Sequence, residues 1–156
     1  MNKLSGSFKL LPIILPHYNF RIKSEEFSRS GEDFTIWFME GILEENPNYF
    51  DCLLYLGNAY TNIGRYEDGL RVDLKLAKLR REDPIVRYNL ACSYSLVGDV
   101  DSAIRELETS VALGYKDIQH MEEDKDLEKL REDKRYQELI GRAKRSMAEV
   151  RDKDNK

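Results

Sequence analysis

From Phe34 onward the apolar positions of this chain recur at helical spacing. Phe34, Trp37, Phe38, Gly41 and Ile42 fall at i, i+3, i+4, i+7 and i+8, one face of a helix. Asn46-Pro47 is expected to stop that helix and start the next, with Asn as cap and Pro in the first turn. The next predicted helix covers residues 48–62, with Leu53, Leu56, Gly57 and Tyr60 inward and Gly64 closing it in the left-handed conformation. Residues 66–80 are its predicted partner, with Leu70, Leu74 and Ala77 on the inner stripe. Asp83-Pro84 repeats the cap-plus-proline start. Residues 84–96 then form a predicted helix ended by Gly98. Residues 100–113 follow it, with Ala103, Ile104, Leu107 and Val111 inward and Gly114 after them.

Beyond Gly114 the pattern shortens. Residues 115–133 are densely charged, anchored by Met121, Leu127 and Leu130, and read as two short helical turns. Residues 134–150 form an amphipathic helix with Tyr136, Leu139, Ile140, Ala143, Met147 and Val150 on one side and a basic outer face. Residues 152–156 are expected to fray. Residues 1–31 keep no helical period and contain Gly6, Pro12, Pro16 and Gly31, so they read as an extended or partly disordered arm. Within the arm, residues 10–20 are apolar and aromatic with no acidic or basic side chain between Lys9 and Arg21. They suit docking into a groove of this chain or of a neighbour.

The two middle helix pairs echo each other. Leu56-Gly57-Asn58-Ala59-Tyr60 returns as Leu90-Ala91-Cys92-Ser93-Tyr94, 34 positions on, and in the same register Gly64 maps onto Gly98 and Gly69 onto Ala103. A 34-residue period with small residues at fixed offsets marks stacked helix pairs. Gly or Ala at the offsets where two helices cross allows close backbone approach, and one pair cannot bury its apolar face alone, so the pairs must stack.

Leu53-x2-Leu56-Gly57-x2-Tyr60, with Gly64-Arg65-Tyr66 and Gly69, resembles a tetratricopeptide repeat. Arg87-x2-Leu90-Ala91-x2-Tyr94, with Gly98 and Ala103, resembles a second, and Thr35, Met39 and Pro47 match a leading half-repeat. The segment with Gly114-Tyr115-Lys116-Asp117, Met121, Asp124-x-Asp126-Leu127, Leu130-Arg131-x-Asp133 and Arg135-Tyr136-x2-Leu139 is similar to a module that closes bacterial arrays after a Tyr-Asn-Leu-Ala-Cys repeat, which stands here at residues 88–92. The resemblance implies an all-α fold, a short right-handed α-α solenoid of stacked hairpins with a C-terminal capping helix. Its helical domain would cover residues 32–151: half-repeat 32–46, repeats 50–83 and 84–116, closing module and cap 117–151. Two positions depart from the family pattern. Asp73 and Arg87 stand where large aromatic and apolar residues are usual, so either they approach each other across the repeat junction or each leans to the rim.

In that family the first helices of successive repeats line a concave groove. The resemblance therefore places Asp51, Leu54, Asn58, Thr61, Asn62, Ile85, Tyr88, Asn89, Cys92 and Ser95 along a peptide-binding face. Asn and Tyr can hydrogen-bond an extended peptide, with Leu54 and Ile85 as apolar contacts. A subclass that clamps C-terminal carboxylates is not expected, because Leu54 stands in place of the first clamp lysine and no full third repeat supplies the remaining charge.

Composition narrows the functions further. The 156 residues suffice for one domain with a real core, 35% are charged, and the net charge is −4. That balance gives no concentrated basic face for nucleic acid. No apolar run is long enough to span a bilayer, and residues 10–15 are too short and too proline-broken for an export signal, so a cytoplasmic location is expected. Cys52 and Cys92 have no metal spacing and read as buried, reduced thiols. His17 and His120 lie in unlike segments, and neither a phosphate loop nor a nucleophile elbow is present. The acidic run at residues 122–126 lacks the glycine and closing Glu of a calcium loop and reads as a solvated face. The basic face bearing Arg142, Lys144, Arg145 and Arg151 is interleaved with Glu149, Asp152 and Asp154, which weakens any claim on an acidic partner or membrane. The expected function is a non-enzymatic protein-interaction module without metal or cofactor, whose partner is a protein or peptide. The alternative is a structural subunit that self-associates into a homo-oligomer through residues 1–31 or exposed stack ends.

Overall fold

The computed structural model describes residues 31–154, and every regular element among them is helical. In chain order these are α1 (Gly31–Glu45), α2 (Phe50–Asn62), α3 (Tyr66–Leu79), α4 (Pro84–Val97), α5 (Val100–Ala112), α6 (Ile118–Glu123), a 3-10 helix (Lys125–Leu130) and α7 (Lys134–Asp154). Each of α1 to α4 packs against its successor. The arm expected over residues 1–31 lies outside the described residues except for Gly31, which begins α1. At the other end α7 continues through Asp154, past the point where the sequence predicts fraying.

The 34-residue echo is written into the backbone as well as the sequence. After α2, the Gly64 amide donates to Thr61 O and the Arg65 amide to Tyr60 O. After α4, 34 positions later, the Gly98 amide donates to Ser95 O and the Asp99 amide to Tyr94 O. Both turns need a left-handed residue, and glycine supplies it at φ 76° and 89°. Gly114 closes α5 the same way at φ 103°. The helix starts are less alike. Asp83 caps α4 as expected, accepting from the Ile85 and Val86 amides. Asn46-Pro47 does not start α2: Pro47 and Asn48 form a turn, and Tyr49 precedes the helix with no side-chain cap.

Two apolar clusters meet at α4. The first joins Ile36 of α1, Leu53, Leu56 and Tyr60 of α2, Val72 and Leu76 of α3, and Val86 and Leu90 of α4. The second joins Tyr88, Ala91 and Cys92 of α4 to Ala103 and Leu107 of α5, to Met121, Leu127 and Leu130, and to Tyr136, Leu139 and Ile140 of α7. Burying each such Leu or Ile contributes roughly 1.5–3 kcal/mol. Some stripes sit differently from expectation. The α2-facing side of α1 carries Ile36, Met39 and Leu43, while Phe34, Trp37 and Phe38 form an aromatic row beside it. The inner stripe of α3 is Gly69, Val72, Asp73, Leu76 and Ala77, with Leu70 and Leu74 at its edges. Met147 of α7 is exposed.

The two charged residues on packing faces take separate partners. Arg87 pairs through Nη1 with Glu106 Oε2 at 3.0 Å and donates from Nε to Arg81 O. Asp73 is buried and accepts a hydrogen bond from Ser93. Neither alternative holds for Asp73, which neither meets Arg87 nor leans to the rim, because α4 offers it a neutral donor inside the junction, while α5 offers Arg87 a carboxylate.

Candidate functional site

Helical register decides which side chains of α2 stay outside. Leu53, Leu56 and Tyr60 turn into the core, so the opposite side is left to Asp51, Tyr55, Asn58 and Asn62, spaced four, three and four residues apart. All four are exposed, Tyr55 by 63%. Leu54 flanks the stripe, half-buried. Thr61 also lies half-buried, its Oγ1 toward α3, where a Cβ on Gly69 would come within 3.2 Å of it. On α4, Val86 and Leu90 share the core cluster of α2. Ile85 and Asn89 therefore fall on the flank of that seam, Ile85 60% exposed and Asn89 half-buried. At the start of α2 the Arg80 guanidinium lies 3.5 Å over the Phe50 ring, a cation–π contact that ties the end of α3 to the start of α2.

The rest of the expected groove is closed. Tyr88, Cys92 and Ser95 are buried, at 4%, 8% and 0% exposure. Tyr88 and Cys92 lie under the segment that follows α5. The Tyr88 ring stacks on Tyr115 at 4.5 Å and 6°, and its hydroxyl donates to Asp124 Oδ2 at 2.6 Å. Cys92 Sγ lies 3.8 Å from the same oxygen, and His120 Nε2 3.6 Å. The Asp124 carbonyl accepts from Arg131 Nη2, and Lys129 Nζ donates to Leu96 O. Of the ten residues expected in the groove, Asp51, Asn58, Asn62 and Ile85 are exposed, Leu54, Thr61 and Asn89 are half-buried, and Tyr88, Cys92 and Ser95 are covered.

Burial and negative charge set the electrostatics of the covered part. Burial pushes the Cys92 thiol well above its usual range, with Asp124 and Asp126 adding to it. Burial likewise raises Tyr88, and Tyr115 is pushed up to about 12 by burial and then Asp117. Asp126 is raised by burial and by its neighbour Asp124. The acidic run at residues 122–126 is therefore not a uniformly solvated face: Asp124 anchors the closing segment to α4. The sequence hides this role because the partner, Tyr88, lies 36 positions away. Tyr55 is absent from the family-based set of groove residues, although an aromatic four residues from Asp51 and three from Asn58 falls on their stripe.

Other surfaces carry less. Three of the basic side chains of α7 are satisfied within the chain, Arg135 by Asp101 at 2.7 Å and Asp133 at 2.8 Å, Arg142 by Glu108 at 3.2 Å and Lys144 by Glu122 at 2.7 Å. Among the described residues no group of three or more His, Cys, Asp or Glu side chains is placed to hold a metal ion, and both cysteines are free thiols. No described helix is long and apolar enough to cross a membrane. What the open face can do chemically follows from its carboxamides. Asn58, Asn62 and Asn89 each carry donors and an acceptor, the complement of an extended backbone, and Tyr55 and Ile85 add apolar contact.

No family model matches the chain. A stretch of 87 residues, 54% of this chain, is 32% identical to a chloroplastic protein of Arabidopsis thaliana, and spans 26% of that protein. The chain thus corresponds to a minor part of that relative's length.

Proposed function

We propose that this chain is a short tetratricopeptide-like stack whose open α2–α4 face binds an extended peptide or protein segment without catalysing a reaction. The observation that carries the reading is the exposure of Asn58, Asn62, Tyr55 and Ile85 beside Asn89, on the flank of one shared core seam. Residues that serve only packing would be covered there, as Tyr88 and Cys92 are. The 34-residue repetition of both turn geometry and small residues supports the stack. The closing segment removes part of the groove that the resemblance implies. The binding face is accordingly narrow, suited to a few residues of ligand rather than a long one.

The test is capture of protein from a cell lysate by the immobilised full chain and by an Asn58→Ala/Asn89→Ala variant of unchanged helicity. The reading expects specifically captured bands to weaken about tenfold or more in the variant, as loss of two hydrogen-bonding side chains implies. Capture that ignores both changes overturns it.

A further inference from the structure

The chain contains a segment whose chemistry fits the open face. Residues 1–24 hold four basic side chains, Lys3, Lys9, Arg21 and Lys23, and no acidic one. Of the net charge of −4, the remaining 132 residues therefore carry −8. The apolar stretch at residues 10–20 lies between Lys9 and Arg21, so it arrives at a negatively charged helical body flanked by positive charge. Pro12 and Pro16 each remove a backbone donor and push the preceding residue toward extended geometry. An extended segment laid on a surface needs partners there for the backbone groups it takes out of water. The open face offers carboxamides for those groups, Tyr55 and Ile85 for the aliphatic side chains, and Asp51 at one end for a basic flank.

Reach permits the contact within one chain. Residues 21–30 connect the stretch to Gly31 and span up to about 33 Å when extended. The helix they lead into is 15 residues long, roughly 22 Å, and it packs directly on α2.

We propose that a few residues around Ile14, within the stretch 10–20 of the same chain, occupy the open α2–α4 face and compete there with any external segment. The inference rests on reading that face as peptide-binding, and it adds a regulatory consequence. An external ligand must displace a tethered competitor, which lowers its apparent affinity according to the effective concentration of the tether.

The test uses the full chain with a photoreactive benzoylphenylalanine in place of Ile14. An equal mixture of light and nitrogen-15 chains is irradiated at low micromolar concentration, and cross-linked peptides are mapped by mass spectrometry. The expected products join position 14 to Leu54, Tyr55, Ile85 or Asn89 within one isotopic chain. A Tyr55→Glu/Ile85→Glu variant should lower their yield about fivefold or more, an effect of roughly 1 kcal/mol. Both positions are more than half exposed, so helicity should persist, and a circular dichroism spectrum checks that it does. Cross-links to α1 or α7, products of mixed isotope composition that reveal a second copy, an undiminished yield in the folded variant, or no cross-link at all would each overturn the proposal. Failure here is distinguishable from failure of the binding reading. Lysate capture sensitive to Asn58 and Asn89 without the cross-link removes only the arm, and the cross-link without such capture removes only the external partner.

Discussion

Ser93 Oγ of α4 donates a 2.5 Å hydrogen bond to Asp73 Oδ2 of α3, joining the two helix pairs through a buried carboxyl. Asp73 is 8% exposed, and one of its oxygens also faces Gly57 of α2, where a Cβ would come within 3.3 Å of it. Three helices therefore converge on a single ionisable group. Burial pushes its pKa from the usual 3.8 up to about 6, opposed in part by the Ser93 hydrogen bond.

A pH dependence follows, with a definite sign. Because the folded pKa lies above the unfolded one, the native state favours the neutral carboxyl. The corresponding stability is fully present below about pH 3.8 and is lost as the pH rises through about 6. The shift sets an upper bound of about 3 kcal/mol on this loss. Asp73→Asn mimics the neutral form. It should raise stability at pH 7.5 by on the order of 1–2 kcal/mol and flatten this part of the profile between about pH 4 and 7. Urea unfolding at three pH values, about 4.5, 6 and 7.5, reads both effects. Equal slopes in the two proteins would show that Asp73 is not ionised across this window.

Three glycines separate crowding from backbone strain. A Cβ on Gly98 meets nothing within 4 Å, but φ is 89°, so Gly98→Ala should cost about 1–2 kcal/mol from conformation alone. Gly57 is helical and has no such strain. Its Cβ would press on Asp73 Oδ1 at 3.3 Å and Val72 Cγ1 at 3.5 Å, and Asp73 is held by Ser93. Gly57→Ala should therefore destabilise by about 1 kcal/mol despite the gain in helix propensity. At Gly69 the nearest atom is the half-buried Thr61 hydroxyl at 3.2 Å, which can rotate away, so Gly69→Ala should be close to neutral. Thermal melts that rank Gly69→Ala as the most damaging of the three would contradict this account.

Besides its buried Met121, Leu127 and Leu130, the closing segment is tied to α4 through Asp124. Tyr88→Phe keeps the stacking on Tyr115 but deletes the hydroxyl that donates to Asp124 Oδ2. About 1–2 kcal/mol should be lost, the usual value for a hydrogen bond to a charged acceptor. The loss should be local: amide hydrogen exchange should speed up over residues 115–131 and stay unchanged in α1 and α2. Uniform acceleration across the chain would mean that the segment is not a separately held unit.

The helices are legible in the sequence because their signals are local. Leu53, Leu56 and Tyr60 lie within two turns of one another, and Gly64, Gly98 and Gly114 each mark a stop where they stand. Which of the expected groove residues are covered is not legible, because Asp124, one of the residues laid over Tyr88 and Cys92, lies more than 30 positions away in a segment whose charge suggests solvation. Asp73 escapes for a related reason. A buried carboxyl invites a search for a positive partner, whereas a serine can satisfy it when ionisation is deferred to higher pH. Pattern reports which side of a helix is apolar, but not what a distant segment lays over the rest.

The thiols give the most direct check on that covering. Cys52 lies in the α1–α2 seam, 3.4 Å from the Met39 carbonyl, and burial raises its pKa. Cys92 is raised well above its usual range by burial and by the nearby carboxylates of Asp124 and Asp126. The thiolate is the reactive form, so neither cysteine should react readily with a disulfide reagent in the folded protein at about pH 8. In about 6 M urea both thiols should react rapidly. Asp124→Ala removes both the negative charge beside Cys92 and the contact holding the closing segment over it. That change should accelerate labelling of Cys92 about tenfold or more while leaving Cys52 slow, a difference worth roughly 1.4 kcal/mol in the opening equilibrium. Equal acceleration at both cysteines would point to global unfolding, and no acceleration at Cys92 would show that Asp124 does not hold the cover in place.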